Sequence, residues 1–164
     1  FQNPSAYLNP NRTVENHFKD LFRAHGESYE IARVIDMLKL VHLNDGERIL
    51  QSYPFQLSGG MQQRLAIALS LILKPSIVFA DEPTSALDML VQASVLDLMK
   101  EVTQALGATV IIVTHNIKSA ARIANSIGVM NKGQLVEVGS TEEVMACPKD
   151  EYTSILLDSV MKVV

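Results

Sequence analysis

Ile77-Val78-Phe79-Ala80-Asp81-Glu82-Pro83 is a run of four apolar residues that ends in two carboxylates and a proline. A short, uninterrupted apolar run is the pattern of a strand covered on both faces in a parallel sheet. Upstream, Met61, Leu65, Ala68, Leu69, Ile72 and Leu73 recur at helical spacing until Pro75, whose missing N–H and fixed ring stop the helix. Downstream, Val91, Val95, Leu98, Met99, Val102 and Leu106 mark another helix, closed by Gly107, and residues 109–113 make a second β-branched strand. Strand, helix and strand in alternation predict an α/β fold with a parallel-sheet core.

Further out in both directions the pattern changes. Val14, Phe18, Leu21 and Phe22, then Ile31, Val34, Ile35, Leu38 and Val41, give two amphipathic helices separated near His25-Gly26. Toward the other end, residues 127–130 and 135–138 flank Asn131-Lys132-Gly133, which reads as a hairpin with a three-residue turn. Ser140 and Glu143 have capping-box spacing for a following helix. The expected organisation is a helical subdomain over 1–74, a sheet-bearing part over 75–139 and a C-terminal helical extension over 140–164.

The 164 residues are 48% hydrophobic and 20% charged, the balance of an ordinary globular domain. A net charge of -4 argues against a surface built around nucleic-acid phosphates, which needs clustered Lys and Arg. Cys147 is the single cysteine, so neither an intrachain disulfide nor a cysteine-ligated metal site is available, which fits a reducing compartment. No apolar run reaches the length of about 18 residues that spans a bilayer. The chain opens on Phe1 and reads as a piece of a longer protein.

Three places carry chemistry. Ser58-Gly59-Gly60 stands directly before a strongly periodic helix, whose first N–H groups lack intrahelical partners and carry the positive end of its dipole. Glycines there let a phosphate approach the backbone, although the same residues also make a plain Ser N-cap. Asp81 and Glu82 end a strand where open α/β sheets place their ligands. Asp81 can hold Mg²⁺ through water, since that ion needs one or two carboxylates plus phosphate oxygens, and Glu82 is then free to deprotonate a water. Taken alone, Asp-Glu-Pro reads more readily as an ordinary acidic turn. His115, after the second strand, can place an imidazole against a terminal phosphate or simply satisfy backbone, and no two of the four histidines have metal-ligand spacing.

Together and in this order, these features resemble an ATP-binding-cassette ATPase. Leu57-Ser58-Gly59-Gly60-Met61-Gln62-Gln63-Arg64 is similar to the signature motif, and residues 77–83 to the Walker B strand with its adjoining glutamate. Ser85-Ala86-Leu87-Asp88 resembles the D-loop, Thr114-His115 the switch-histidine loop, and Gln2 stands at the position of the Q-loop glutamine. The resemblance implies a partial P-loop NTPase fold, ATP and Mg²⁺ as cofactors, and these roles: Glu82 and His115 catalytic; Gln2, Ser58, Gly59, Gly60, Gln62 and Asp88 binding the nucleotide; Asp81 and Gln2 serving Mg²⁺, partly through water. Phe1-Gln2-Asn3-Pro4, Leu8-Asn9-Pro10 and, near the C-terminus, Pro148 and Glu151-Tyr152-Thr153 resemble the subgroup that energises oligopeptide, dipeptide and nickel importers.

No glycine among the eight is followed by lysine, so the Gly-x-x-x-x-Gly-Lys-Ser/Thr loop of a complete cassette is not among these residues. The expectation is therefore the larger, C-terminal part of a cassette, inactive by itself. In the family two such subunits pair head to tail, so the resemblance implies a second ATPase subunit and integral membrane permease subunits as partners. It also implies a place at the cytoplasmic face of the membrane, with no direct insertion and no nucleic acid. A soluble cassette ATPase of translation or DNA repair, and a non-catalytic regulatory module, share the same motifs.

Overall fold

The computed structural model describes residues 8–84 and 89–161. They form two compact units, residues 1–113 and 114–164. The fold class is mixed α/β.

The first unit opens with α1 (Val14–Ala24), α2 (Ile31–Leu40) and the short α3 (Gly46–Gln51). Thr13 caps α1 by accepting the Asn16 N–H, and Val14, Phe18 and Phe22 form its buried stripe. These side chains are removed from water together with Val34, Leu38, Val41, Ile49 and Leu50, each such burial being worth about 1.5–3 kcal/mol. A single 3₁₀ turn (Pro54–Gln56) leads into α4 (Gly59–Leu71). That helix ends earlier than Pro75 alone predicts, with Ile72 as its cap and Lys74 at φ +51°. The Arg33 guanidinium donates to the Ile72 carbonyl at 2.6 Å, supplying one of the partners that helix ends lack.

β1 (Ile77–Asp81), α5 (Met89–Leu106) and β2 (Thr109–Val113) follow, the two strands pairing in parallel from Ile77↔Thr109 to Asp81↔Val113. Gly107, at φ +67°, turns the chain out of α5 as expected of a left-handed helix terminus. Among the described residues, one face of the strand pair is covered and the other stands open. Ala80 is buried and Val78, Val110 and Ile112 are half-buried, whereas Ile77 (53% exposed), Phe79 (74%), Ile111 (44%) and Val113 (59%) face outward. The side-chain period of two puts one set under the helices and leaves the other open.

The second unit contains α6 (Ile117–Ile123), the antiparallel hairpin β3 (Ser126–Asn131) and β4 (Gln134–Ser140), α7 (Thr141–Ala146) and α8 (Glu151–Met161). Its core gathers Ile127, Val129 and Val144, with Ala120, Val136 and Leu156 packed against them. The hairpin turn is two residues, not three. Asn131 pairs with Gln134, and Lys132 (φ +48°) and Gly133 (φ +80°) take the positive φ values that a tight two-residue connection requires. Ser140 and Glu143 form the expected capping box, the Ser140 hydroxyl accepting the Glu143 N–H at 3.2 Å and the Glu143 carboxylate accepting the Ser140 N–H at 3.1 Å.

Glu137 on β4 is a buried carboxylate that the sequence did not single out. It accepts the Lys149 N–H at 2.9 Å and the Asp150 N–H at 3.1 Å, tying β4 to the lead-in of α8. The Lys149 N–H, with the Asp150 N–H beside it, holds its carboxyl below the usual carboxylate range. Among the described residues, no helix is long and apolar enough to cross a membrane.

Candidate functional site

The turn at Ser58 is built from its own backbone outward. Ser58 is the N-cap of α4, its hydroxyl accepting the Met61 N–H at 3.3 Å and its carbonyl the Gln62 N–H at 2.9 Å. The Gly59 and Gly60 N–H groups lie ahead of that first intrahelical bond, at the positive end of the helix dipole. A Cβ built on either glycine meets no atom within 4 Å, so the approach to this backbone is open. The Gln62 carboxamide nitrogen donates to the Pro54 and Leu57 carbonyls at 2.9 and 3.1 Å, bracing the loop that leads into the turn. The arrangement suits an anion met by backbone donors.

Asp81 closes β1 opposite Val113, with its side chain exposed. Parallel pairing continues one step further, because the Glu82 N–H donates to the Val113 carbonyl at 2.8 Å. Glu82 itself sits at φ +45°, a left-handed conformation that residues bearing a Cβ rarely adopt. Such a conformation costs roughly 1–3 kcal/mol and persists only where its surroundings enforce it. Pro83 and Thr84, which follow, are both buried.

One member of this region was missed by sequence reasoning. Gln63 lies on α4 and is only 5% exposed, and its side-chain N–H₂ donates to the Pro83 carbonyl at 2.8 Å. It links the helix that starts at Ser58 to the turn that carries Asp81 and Glu82. The available signal was its helical register, four and eight positions ahead of Ile67 and Leu71, both of them buried.

His115 belongs to the second unit, two residues past the end of β2, and is exposed. Its surroundings are a chain of local caps. The Thr114 hydroxyl accepts the Asn116 N–H at 3.1 Å, and the Asn116 side chain accepts the Ser119 N–H at 3.2 Å to start α6. Gln2 and the 85–88 segment with Asp88 lie outside the described residues. Ser58, Gly59, Gly60, Gln62, Asp81 and Glu82 thus share the first unit, and His115 stands on the second.

Among the described residues, no group of three or more His, Cys, Asp or Glu side chains could hold a metal ion. Asp81 is an exposed strand-end carboxylate, the kind of single protein ligand that Mg²⁺ would complete with water and phosphate oxygens.

A helix start with open backbone donors is thus linked, through Gln63, to a strand end bearing two carboxylates in an α/β unit. The chain belongs to the ABC transporter family, whose model matches residues 1–85. It is 46% identical over 160 residues to the dipeptide transport ATP-binding protein DppD of Caldanaerobacter subterraneus, a match that covers 95% of this chain and 49% of that protein. The oligopeptide transport ATP-binding protein OppD of Lactococcus lactis is 40% identical over 162 residues, covering 97% of this chain and 48% of its own length. The glutathione import ATP-binding protein GsiA of Salmonella typhimurium is 42% identical over 163 residues, 98% of this chain and 26% of that protein. The chain spans about half the length of the first two relatives.

Proposed function

We propose that this chain is part of the ATP-binding and ATP-hydrolysing subunit of an importer, energising passage of a peptide or similar small solute through membrane permease subunits. One juxtaposition carries this reading: the open Ser58-Gly59-Gly60 turn and the Asp81-Glu82 strand end are joined within one unit by the Gln63 to Pro83 hydrogen bond. The names of the relatives support the solute class.

In this reading Ser58, Gly59 and Gly60 donate to the terminal phosphate of an ATP held chiefly by a second cassette subunit. Asp81 holds Mg²⁺, partly through water and together with Gln2, and Mg²⁺ when bound neutralises charge on the phosphate oxygens. Glu82 accepts a proton from the attacking water, and His115 donates to the terminal phosphate. Gln62 braces the turn, and Asp88 communicates across the pair of subunits. Residues 1–74 supply the Q-loop and signature surface, 75–139 the hydrolytic residues, and 140–164 a helical extension. The subunit works at the cytoplasmic face of the membrane, peripheral to its permeases.

The test is to co-purify the full-length gene product with its integral membrane subunits and compare wild type with Glu82→Gln. An amide cannot accept the proton, so ATP turnover is expected to fall by about 10²–10⁴-fold while ATP binding persists. Undiminished steady-state hydrolysis by the variant, or failure to recover membrane subunits, would sink the reading.

A further inference from the structure

Glu82 is bracketed by two hydrogen bonds that come from different elements. On its N-terminal side, its own N–H is fixed by the Val113 carbonyl of β2 at 2.8 Å. On its C-terminal side, the carbonyl of the following residue, Pro83, is fixed by the Gln63 carboxamide of α4 at 2.8 Å. Pro83 has no N–H to offer, so it takes part in backbone hydrogen bonding through its carbonyl alone. The residue between the two anchors is the one at φ +45°. A buried polar side chain on a helix whose other buried residues are Leu65, Ile67, Ala68 and Leu71 is tolerated because its hydrogen bond is made. That bond also fixes where α4 stands relative to the turn.

We infer that Gln63 is a positioning residue, holding Glu82 in its left-handed conformation through the Pro83 carbonyl. Because Ser58 caps the same helix five positions earlier, contact at the Ser58 turn and the setting of Glu82 are mechanically joined through α4. This rests on the proposal that Glu82 activates water, and a misplacement of about 1 Å in such a group is enough for a rate loss near 10²-fold.

The test uses the full-length gene product with Gln63→Met, which keeps length and lack of branching and removes the N–H donor. The first measurement is native-state hydrogen exchange without nucleotide. The Glu82 amide is expected to exchange at least about tenfold faster, with the protected amides of α4 and β2 unchanged. The second is steady-state kinetics, where kcat is expected to fall by about 10–100-fold with KM for ATP within about twofold. Gln63→Glu, equal in shape and without the donor at neutral pH, should behave alike and guards against a fault peculiar to methionine.

A Glu82 amide as protected as in wild type, or an unchanged kcat beside a faster-exchanging amide, would overturn the inference. So would loss of protection throughout residues 8–113 in both variants, which would make Gln63 a core residue only. Glu82→Gln run in parallel separates the two claims. If that variant hydrolyses ATP normally, the reading of Glu82 fails, while the exchange result still decides whether Gln63 holds its backbone.

Discussion

Ser58 has a single side-chain oxygen, and it is already engaged as a helix cap. Two functions therefore converge on one hydroxyl, and they respond differently to substitution. Ser58→Ala removes the cap and is expected to destabilise the protein by about 1 kcal/mol. Ser58→Asp keeps a capping oxygen, so its melting temperature should match wild type, yet it sets a negative charge where the terminal phosphate would lie and should lose most ATP turnover. Thermal melts and hydrolysis rates on the pair separate the roles, and an aspartate variant with full turnover would remove Ser58 from the phosphate site. At this scale the sequence was most legible where glycine or serine stands before a helix, because local backbone rules govern there. It was least legible at Gln63 and at the backbone of Glu82. Gln63 acquires its role from a partner 20 residues away, and the φ of Glu82 is imposed by tertiary hydrogen bonds rather than by any preference of glutamate.

Elements read well where they have one wet side and less well where packing comes from several directions. The stripe of α1 was legible because Val14, Phe18 and Phe22 face inward while Arg23 and Lys19 stay in water. For α4 the expected stripe through Leu69 and Leu73 did not isolate a face, since Ile67 and Leu71 are buried as well. The helix packs against α1 and α2 and also against α5, so hydrophobicity is spread around it. In the second unit, the tie between β4 and α8 is electrostatic and gives a prediction with a definite sign. Glu137 and Glu143 both have carboxyls lowered from an ordinary value near 4.5, Glu137 chiefly by the Lys149 N–H and Glu143 chiefly by the Ser140 hydroxyl. A group whose folded value is depressed adds stability that is complete above the unfolded value and disappears as pH falls through the folded one. Melting temperature should therefore be flat from neutral pH down to about 5 and drop below 4.5, and Glu137→Gln should lower it at pH 7 while shrinking the acid-induced drop. An unchanged acid drop in that variant would show that the carboxylate is not what joins α8 to β4.

Across the whole chain, the apolar surface is unevenly placed. Ile77, Phe79, Ile111 and Val113 line one face of the β1–β2 pair, and Met130, Leu135 and Val138 are exposed on the hairpin of the second unit. Single exposed apolar residues are ordinary, but four on adjacent strands in register form a contiguous patch of the kind that drives association. Parallel pairing was legible from apolar runs, whereas which residues of each run stand outward was not, because a run of Ile, Val and Phe looks the same from either side. The 164-residue chain by itself is accordingly expected to self-associate at high micromolar concentration. Phe79→Ser with Ile111→Thr should weaken that association by at least about tenfold, the worth of roughly 1.4 kcal/mol. Both side chains are substantially exposed, so the double variant should unfold within a few degrees of wild type, which separates lost association from lost folding. Sedimentation velocity across a concentration series decides it. A wild-type chain that stays monomeric, or a double variant that associates as strongly as wild type, would mean that this face is not the adhesive one and would move attention to Met130, Leu135 and Val138 of the hairpin.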